Sequence, residues 1–386
     1  MQCCLLALHR VGPYHHSRFQ AASYLIDLHV LETRPESQEY PWKFQAEAFY
    51  GLHQLSGQPT PEADAACSVL DQQLDALLDR LRPKVVISVG WADRAYQRLL
   101  IACHKRRIPV ALVSDSRQRD KPRDGGKEWL KRQLLRGYSS AFVAGRESYA
   151  YLIKLGFPSD LICQPWDVVD NDLFAAVSTQ HVSEPSTRPH FLCVSRFVKK
   201  KNHRGLLAAF AAYQRQGGAW GLRLIGSGPL ERELRHAISQ LPHPDSVTLQ
   251  LFQQLSDLTA SYAQASAFVL ASSTDQWGLV VNEAMAAGLP CLVSIYCGCA
   301  VDLIDHGRTG WSFDPRDPQA LAALMQLAER QSPLERAAMQ QAARERLDGF
   351  SLRVFVEGIQ LLLQYSCDNP RWSWRAALLA DFLSHV

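Results

Sequence analysis

The stretch SSTDQWGLVVNEAMAAGLP, residues 272–290, holds two acids that could do chemistry: Asp275 and Glu283, eight positions apart around a Trp-Gly turn that runs into an Ala-rich helix. Carboxylates so placed accept hydrogen bonds from hydroxyl groups such as those of a sugar substrate. Each also has a plainer reading, Glu283 as a first-turn acid that complements the helix dipole and Asp275 as an ordinary turn or capping acid. Gly278 frees the backbone, and the helix beginning there offers the amides of about 278–280 to a ligand. Gly288 and Pro290 supply the stop.

A second group lies upstream in RFVKKKN, residues 196–202, after the apolar run HFLCVS. Arg196 presents a planar fork to phosphate oxygens and Lys201 a point charge, while Asn202 reads as a helix N-cap whose dipole adds to the field. Such a loop suits a pyrophosphate. A basic run beside a helix can equally be a solvated face, and Lys199 and Lys200 fit that description. In IGSGPLERE, Gly226 and Gly228 follow a strand and precede a helix, where glycine permits close approach of backbone to a ligand or simply a tight turn. The third Gly and distal acid of the dinucleotide fingerprint are missing, which argues against a nicotinamide dehydrogenase.

Elements that would position these residues recur along the chain. Short apolar runs, each followed by a helical pattern, occur as CCLLAL, YLIDLHV, KVVISVG, PVALVS and SAFVAG, then as HFLCVS, LRLIG, VTLQLF, AFVLAS and PCLVS. Strands alternating with helices predict parallel sheets. Leu206, Leu207, Phe210 and Tyr213 share one helical face, as do Leu230, Leu234 and Ile238 behind Pro229, which suits a first helical turn. Periodicity fails over 167–189, where Ser, Thr, Pro and acids gather. The expected organisation is α/β: a doubly wound domain at 1–182, a linker at 183–189, a second doubly wound domain at 190–350, and helices over 351–386 whose Trp372 and Trp374 would pack across the domain junction.

The 386 residues suffice for two such cores, and a net charge of +3 is too small to suggest a nucleic-acid partner. The ten cysteines fall mostly in apolar runs and read as small hydrophobes in a reducing, cytosolic compartment. Cys297 and Cys299 lack a second Cys/His pair at ligand spacing, so no structural zinc is expected. The N-terminal run is short and lacks a basic leader, hence a strand, and nothing approaches a membrane span. Residues 117–136 collect eight cations with Trp129, Leu130 and Leu134 interleaved. They read either as a solvated loop and amphipathic helix or as a peripheral contact with an anionic bilayer or lipid-phosphate acceptor.

The order of these features over 191–324 resembles the donor domain of retaining GT-B glycosyltransferases of family 4, the glycosyl transferases group 1. That family carries an Arg and a Lys after the first strand of the domain, a G-x-G turn, and a Glu-x7-Glu motif running into EAMAAGLP-like residues. Here Asp275 replaces the first Glu and is one methylene shorter. The resemblance implies a GT-B fold of two Rossmann-like domains facing a central cleft, with C-terminal helices returning to the N-terminal domain. It implies that Arg196 and Lys201 hold the diphosphate, that Glu283 accepts from the ribose, and that Asp275 orients the donor sugar. Gly278 and Leu279 would meet sugar or phosphate through their amides, Trp277 would enlarge an apolar wall beside the sugar, and base contacts would come from backbone around Phe252 and Gln253. On the acceptor side it points to His15, chosen over His16, in the loop after the first strand, and to Asp115, where relatives carry a His; a solvated His and an Asx-turn acid are the alternatives.

The implied activity is transfer of a hexose-type sugar from a UDP- or GDP-sugar to an acceptor hydroxyl, in cell-surface polysaccharide or glycolipid synthesis, at a cytoplasmic or inner-face location. No metal or cofactor is expected, because Arg196 and Lys201 take a metal's place and no Asp-x-Asp motif is placed to bind one. A GT-B nucleotide-sugar epimerase and a non-catalytic sugar-nucleotide sensor are the competing readings.

Overall fold

The computed structural model describes residues 2–35, 42, 48–56, 63–180 and 188–385. Two compact units emerge, one of Met1–Asp167 with Leu352–Val386, the other of Val168–Ser351.

The first unit runs β1 (Cys3–Leu8), α1 (Pro13–Ser23), β2 (Asp27–Glu32), β3 (Gly51–Gln54), α2 (Ala63–Leu81), β4 (Val85–Val89), α3 (Arg94–Lys105), β5 (Val110–Ser114), α4 (Gly125–Leu135), β6 (Ser140–Val143), α5 (Arg146–Lys154) and β7 (Ile162–Cys163). Its sheet is parallel throughout, in the order β3-β2-β1-β4-β5-β6-β7. The central strands are continuous apolar runs because helices cover both faces; Val85, Val86, Ile87, Val110, Ala111 and Leu112 are wholly buried. At the edge, β3 instead alternates half-buried and exposed residues.

The second unit runs α6 (Asn171–Gln180), β8 (His190–Val194), α7 (His203–Arg215), β9 (Gly221–Ile225), α8 (Glu231–Ser239), β10 (Val247–Gln250), α9 (Leu255–Gln264), β11 (Ala267–Leu270), α10 (Leu279–Ala286), β12 (Cys291–Ser294), α11 (Ala300–Leu303), β13 (Trp311–Phe313), α12 (Pro318–Arg330) and α13 (Pro333–Leu347). Its parallel sheet has the order β10-β9-β8-β11-β12-β13. In each unit the strand order reverses once, between β1 and β4 and between β8 and β11. Ligands of open α/β sheets bind beyond the carboxyl ends of the strands at such a reversal.

Every anticipated strand is present, and β3, β7 and β13 are additional. Three expectations need correction. The units divide at Asp167/Val168 rather than near 183, because α6 packs on α9 and α10 of the second unit; of the expected linker, 183–187 lie outside the described residues. The helices after 351, α14 (Leu352–Asp368) and α15 (Trp374–His385), return to the first unit as the resemblance implied, α14 packing on α1 and β6 and α15 on α2, α3 and α4, but Trp372 and Trp374 stay exposed instead of packing. Pro229 precedes α8 rather than opening it, because the amide of Leu230 is bound by the carbonyl of Phe197 at 3.1 Å and the helix starts at Glu231.

Candidate functional site

The loops after β8 and β11 flank the reversal in the second sheet, and they carry the residues singled out in the sequence. The β8 loop is braced by its neighbour: the amide of Ser195 donates to Ile225 (3.0 Å) and that of Phe197 to Ser227 (2.7 Å). A Cβ on Gly226 (φ +158°) would lie 2.0 Å from the Ser195 carbonyl oxygen, and one on Gly228 (φ +152°) 2.6 Å from that of Phe197. These two glycines therefore exist here for contact between loops. Phe197 is fully buried, so half-buried Arg196 is held between two fixed points.

Asn202 caps α7 as expected, its side-chain oxygen accepting from the amide of Gly205 while its own φ is +52°. His203 is the next residue, 2 % exposed, with Nε2 at 2.9 Å from Ser195 Oγ. Burial and, secondarily, the Lys201 charge lower its pKa to about 4, so the ring is neutral at neutral pH. It adds packing and a hydrogen bond to the cation loop without adding charge.

Lys201 Nζ donates to Asp275 Oδ2, and both side chains are nearly nine-tenths buried. The amide of Ser273 donates to the Lys200 carbonyl at 2.8 Å, so backbone and side chain both join the two loops. Asp275 is further fixed by its own amide on Tyr296 O (3.2 Å), by the Gly298 amide on its carbonyl (2.9 Å) and by Ser272 Oγ at 3.4 Å. Asp275 is thus no N-cap of α10; that position belongs to Gly278, at φ +103°.

Glu283 is the fifth residue of α10 and wholly buried, which excludes an exposed first-turn acid. Tyr262 of α9 donates its phenol to Glu283 Oε2 at 2.7 Å. Gly278, Leu279 and Val280 are half-exposed. Trp277 departs from the expected apolar wall beside a sugar: it is 4 % exposed, its indole N–H donates to Asn282 Oδ1 at 2.9 Å, and its ring centroid lies 5.7 Å from that of Phe350. The ring packs the base of the loop. Phe252 and Gln253 come after β10, half-exposed, with Gln253 Oε1 accepting from Ser261 at 2.8 Å. Cys297 and Cys299 are buried free thiols, and burial pushes the Cys299 thiol well up.

In the first unit, His15 stands in the first turn of α1, where its Nδ1 accepts from the Gly12 amide at 3.2 Å. Burial and the Arg18 charge lower its pKa to about 3. His16 Nδ1 lies 3.0 Å from the Tyr50 hydroxyl. Asp115 is half-buried in the loop after β5. The cationic stretch 117–136 is less free than its composition suggests: Arg117, 1 % exposed, binds Asp120 and Glu147, Arg119 binds Glu147, and Lys131 binds Glu128 and the Tyr151 hydroxyl. Its outward cations include Lys121, Lys127, Arg132 and Arg136.

Two residues were not legible beforehand. Tyr262 sits in an unremarkable helix and His203 reads as part of a polar helix start; only burial beside the named acid and cation marks them. Among the described residues, one group, Cys3, Asp27 and His29, has ligand atoms within 4.8 Å of one another. It lies at the amino ends of β1 and β2, away from the loops at the strands' carboxyl ends.

Two doubly wound parallel units of this kind constitute the GT-B glycosyltransferase fold. The chain superimposes on a glycosyltransferase from Rickettsia africae (TM-score 0.73, 14% identity, 95% of this chain and 99% of that one). It also superimposes on Anabaena HepE in complex with UDP (TM-score 0.75, 16% identity, 94% and 100%). Residues 178–346 match the family model of glycosyl transferases group 1. Among named relatives, the amylovoran biosynthesis glycosyltransferase AmsK of Erwinia amylovora is 31% identical over 180 residues, 45% of this chain and 43% of that protein. The GDP-mannose-dependent alpha-(1-6)-phosphatidylinositol monomannoside mannosyltransferase of Mycobacterium tuberculosis is 29% identical over 204 residues, 51% and 47%. The chain spans about half the length of the curated relatives it matches.

Proposed function

We propose that this protein is a retaining glycosyltransferase that moves a hexose-type sugar from a UDP- or GDP-sugar to an acceptor hydroxyl in cell-surface polysaccharide or glycolipid synthesis. The observation that carries the reading is the union of the cation loop and the acid loop at the strand-order reversal, through Lys201 and Asp275. In front-face displacement the bond from the anomeric carbon to the phosphate oxygen breaks and one to the acceptor oxygen forms on the same face. The acceptor proton passes to the departing phosphate. Arg196 and Lys201 offset the charge that develops on that phosphate, with no metal or cofactor required. Asp275 accepts from donor-sugar hydroxyls, Glu283 from the ribose, and the amides at Gly278 and Leu279 contact sugar or phosphate. Gly226 and Gly228 shape the floor of the donor site, Phe252 and Gln253 offer backbone to the base, and Trp277 supports the loop from below. His15 and Asp115 remain the acceptor-side candidates.

Support also comes from the names of similar proteins, which include a GDP-mannose-dependent enzyme and a UDP complex. Ten free thiols suit a reducing cytoplasmic setting, and no described helix is long and apolar enough to cross a membrane. Asp275→Ala should abolish transfer while nucleotide diphosphate binding persists; undiminished turnover would overturn the role given to Asp275. Incubation with donor alone separates the alternatives, since epimerised sugar without acceptor indicates an epimerase. Binding without hydrolysis or transfer across an acceptor panel indicates a sensor.

A further inference from the structure

Helix α15 is held by one face only. Ala376, Ala380 and Ser384 are buried, and Leu379 and Leu383 pack against the core of the first unit. The opposite face carries Trp374, Leu378 and Phe382 at successive four-residue steps, 68%, 60% and 65% exposed, with Trp372 exposed just ahead of the helix. Three large apolar residues aligned on one helical turn-line form a continuous patch, unlike the scattered single exposures normal on a soluble surface.

Several cations lie beside this stripe. The Arg375 guanidinium lies 5.2 Å from the centroid of the Trp374 ring. Arg132 and Arg136 of α4, which packs on α15, line one cavity of about 390 Å³ with Phe157, the exposed Trp129 and Arg371, three residues ahead of α15. None of these four arginines pairs with a carboxylate among the described residues. Asp381, the acid of α15, is engaged by Arg98.

We infer that this face docks on an anionic lipid bilayer. Helix α15 lies in the interfacial plane with Trp374, Leu378 and Phe382 among the acyl chains, and the Arg132–Arg136–Arg371 cavity receives lipid phosphates. At 12 residues the helix lies on the membrane and does not cross it. The surface expected over 117–136 is thereby narrowed to its outward part, Trp129, Arg132 and Arg136, and extended to the C-terminal helix. Sugar transfer plays no part in this inference, and its test reads no activity.

The full chain is sedimented with vesicles of phosphatidylcholine alone and of phosphatidylcholine mixed with phosphatidylglycerol, at low and high salt. Wild type should co-sediment with the mixed vesicles, less so at high salt. Leu378→Ser with Phe382→Ser, both exposed and so tolerated by the fold, should weaken binding at least about tenfold. Arg132→Gln with Arg371→Gln should abolish the preference for anionic vesicles. Wild type left in the supernatant at low salt, or binding unchanged in the apolar variant, overturns the inference. So does a dimer, seen by analytical ultracentrifugation, that the apolar variant dissolves without any vesicle binding, since a second copy would then cover the face. Binding abolished by millimolar inorganic phosphate in both variants and wild type alike would reduce the cavity to a free-anion site and likewise overturn it.

Discussion

The ammonium of Lys201 is bound to the carboxylate of Asp275, 74 positions further along the chain. Each neutralises the other at the strand-order reversal. On the proposed chemistry, a donor diphosphate reaching Lys201 would compete with this internal acid.

Breaking this pair by removing one partner leaves a nearly buried charge uncompensated. Lys201→Met and Asp275→Asn are each expected to destabilise by about 2–3 kcal/mol, and the double variant by less than the sum, in urea unfolding. Strict additivity would mean that the contact contributes nothing. On the proposed chemistry, Lys201→Met also lowers kcat/KM by about 100-fold or more.

His203 sets an acid limit. Its pKa is about 4 in the folded chain against an ordinary 6.5, so between those values the unfolded state holds a proton that the folded state does not. Stability rises with pH wherever the unfolded state binds more protons, so this contribution is full above pH 6.5 and is lost as pH falls toward 4, by at most about 3 kcal/mol. Urea midpoints measured across that window should fall less steeply in His203→Gln; identical slopes would remove the assignment.

Gly226 and Gly156 separate collision from backbone strain. Both have positive φ, but a Cβ on Gly226 meets the Ser195 carbonyl at 2.0 Å whereas one on Gly156 meets nothing within 4 Å. Gly156→Ala should cost about 1 kcal/mol and Gly226→Ala clearly more, with loss of nucleotide diphosphate binding by calorimetry only in the latter. Equal costs would show that the two loops yield.

Tyr262→Phe removes the hydroxyl that donates to Glu283 Oε2 at 2.7 Å and also lies 3.4 Å from the Val280 carbonyl oxygen. A hydrogen bond to a buried carboxylate is worth about 1.5–3 kcal/mol, and denaturant unfolding should register that loss. Binding of UDP or GDP should weaken in parallel, because Glu283 loses the group that fixes its rotamer. Unchanged affinity would separate Glu283 from the nucleotide.

The central strands were readable because a parallel strand covered on both faces is a continuous apolar run, as in VVISV and AFVL. Edge strands are not: GLHQ alternates, IC has two residues and WSF three, too little for a period to show. Motif order located Arg196, Lys201, Asp275 and Glu283. It did not show that two of them bind each other, that Tyr262 seats a third, or that Trp277 turns inward, since these depend on which side chains the sheet brings together. The domain boundary was misread because loss of periodicity marks irregular chain, whereas membership of a unit is decided by packing, and α6 packs on α9 and α10, which lie C-terminal to it.

The first unit is completed by α14 and α15, where Phe355 stacks on Phe142 at 5.6 Å and Ser366 meets Ser140 at 2.6 Å. During synthesis the opening 167 residues therefore leave the ribosome before the segment that closes their own core, and the whole second unit is made in between. The second unit can fold while translation continues, whereas the first must wait. A stop codon shortly before Leu352 would spare the unit nearest to it and cripple the one encoded first.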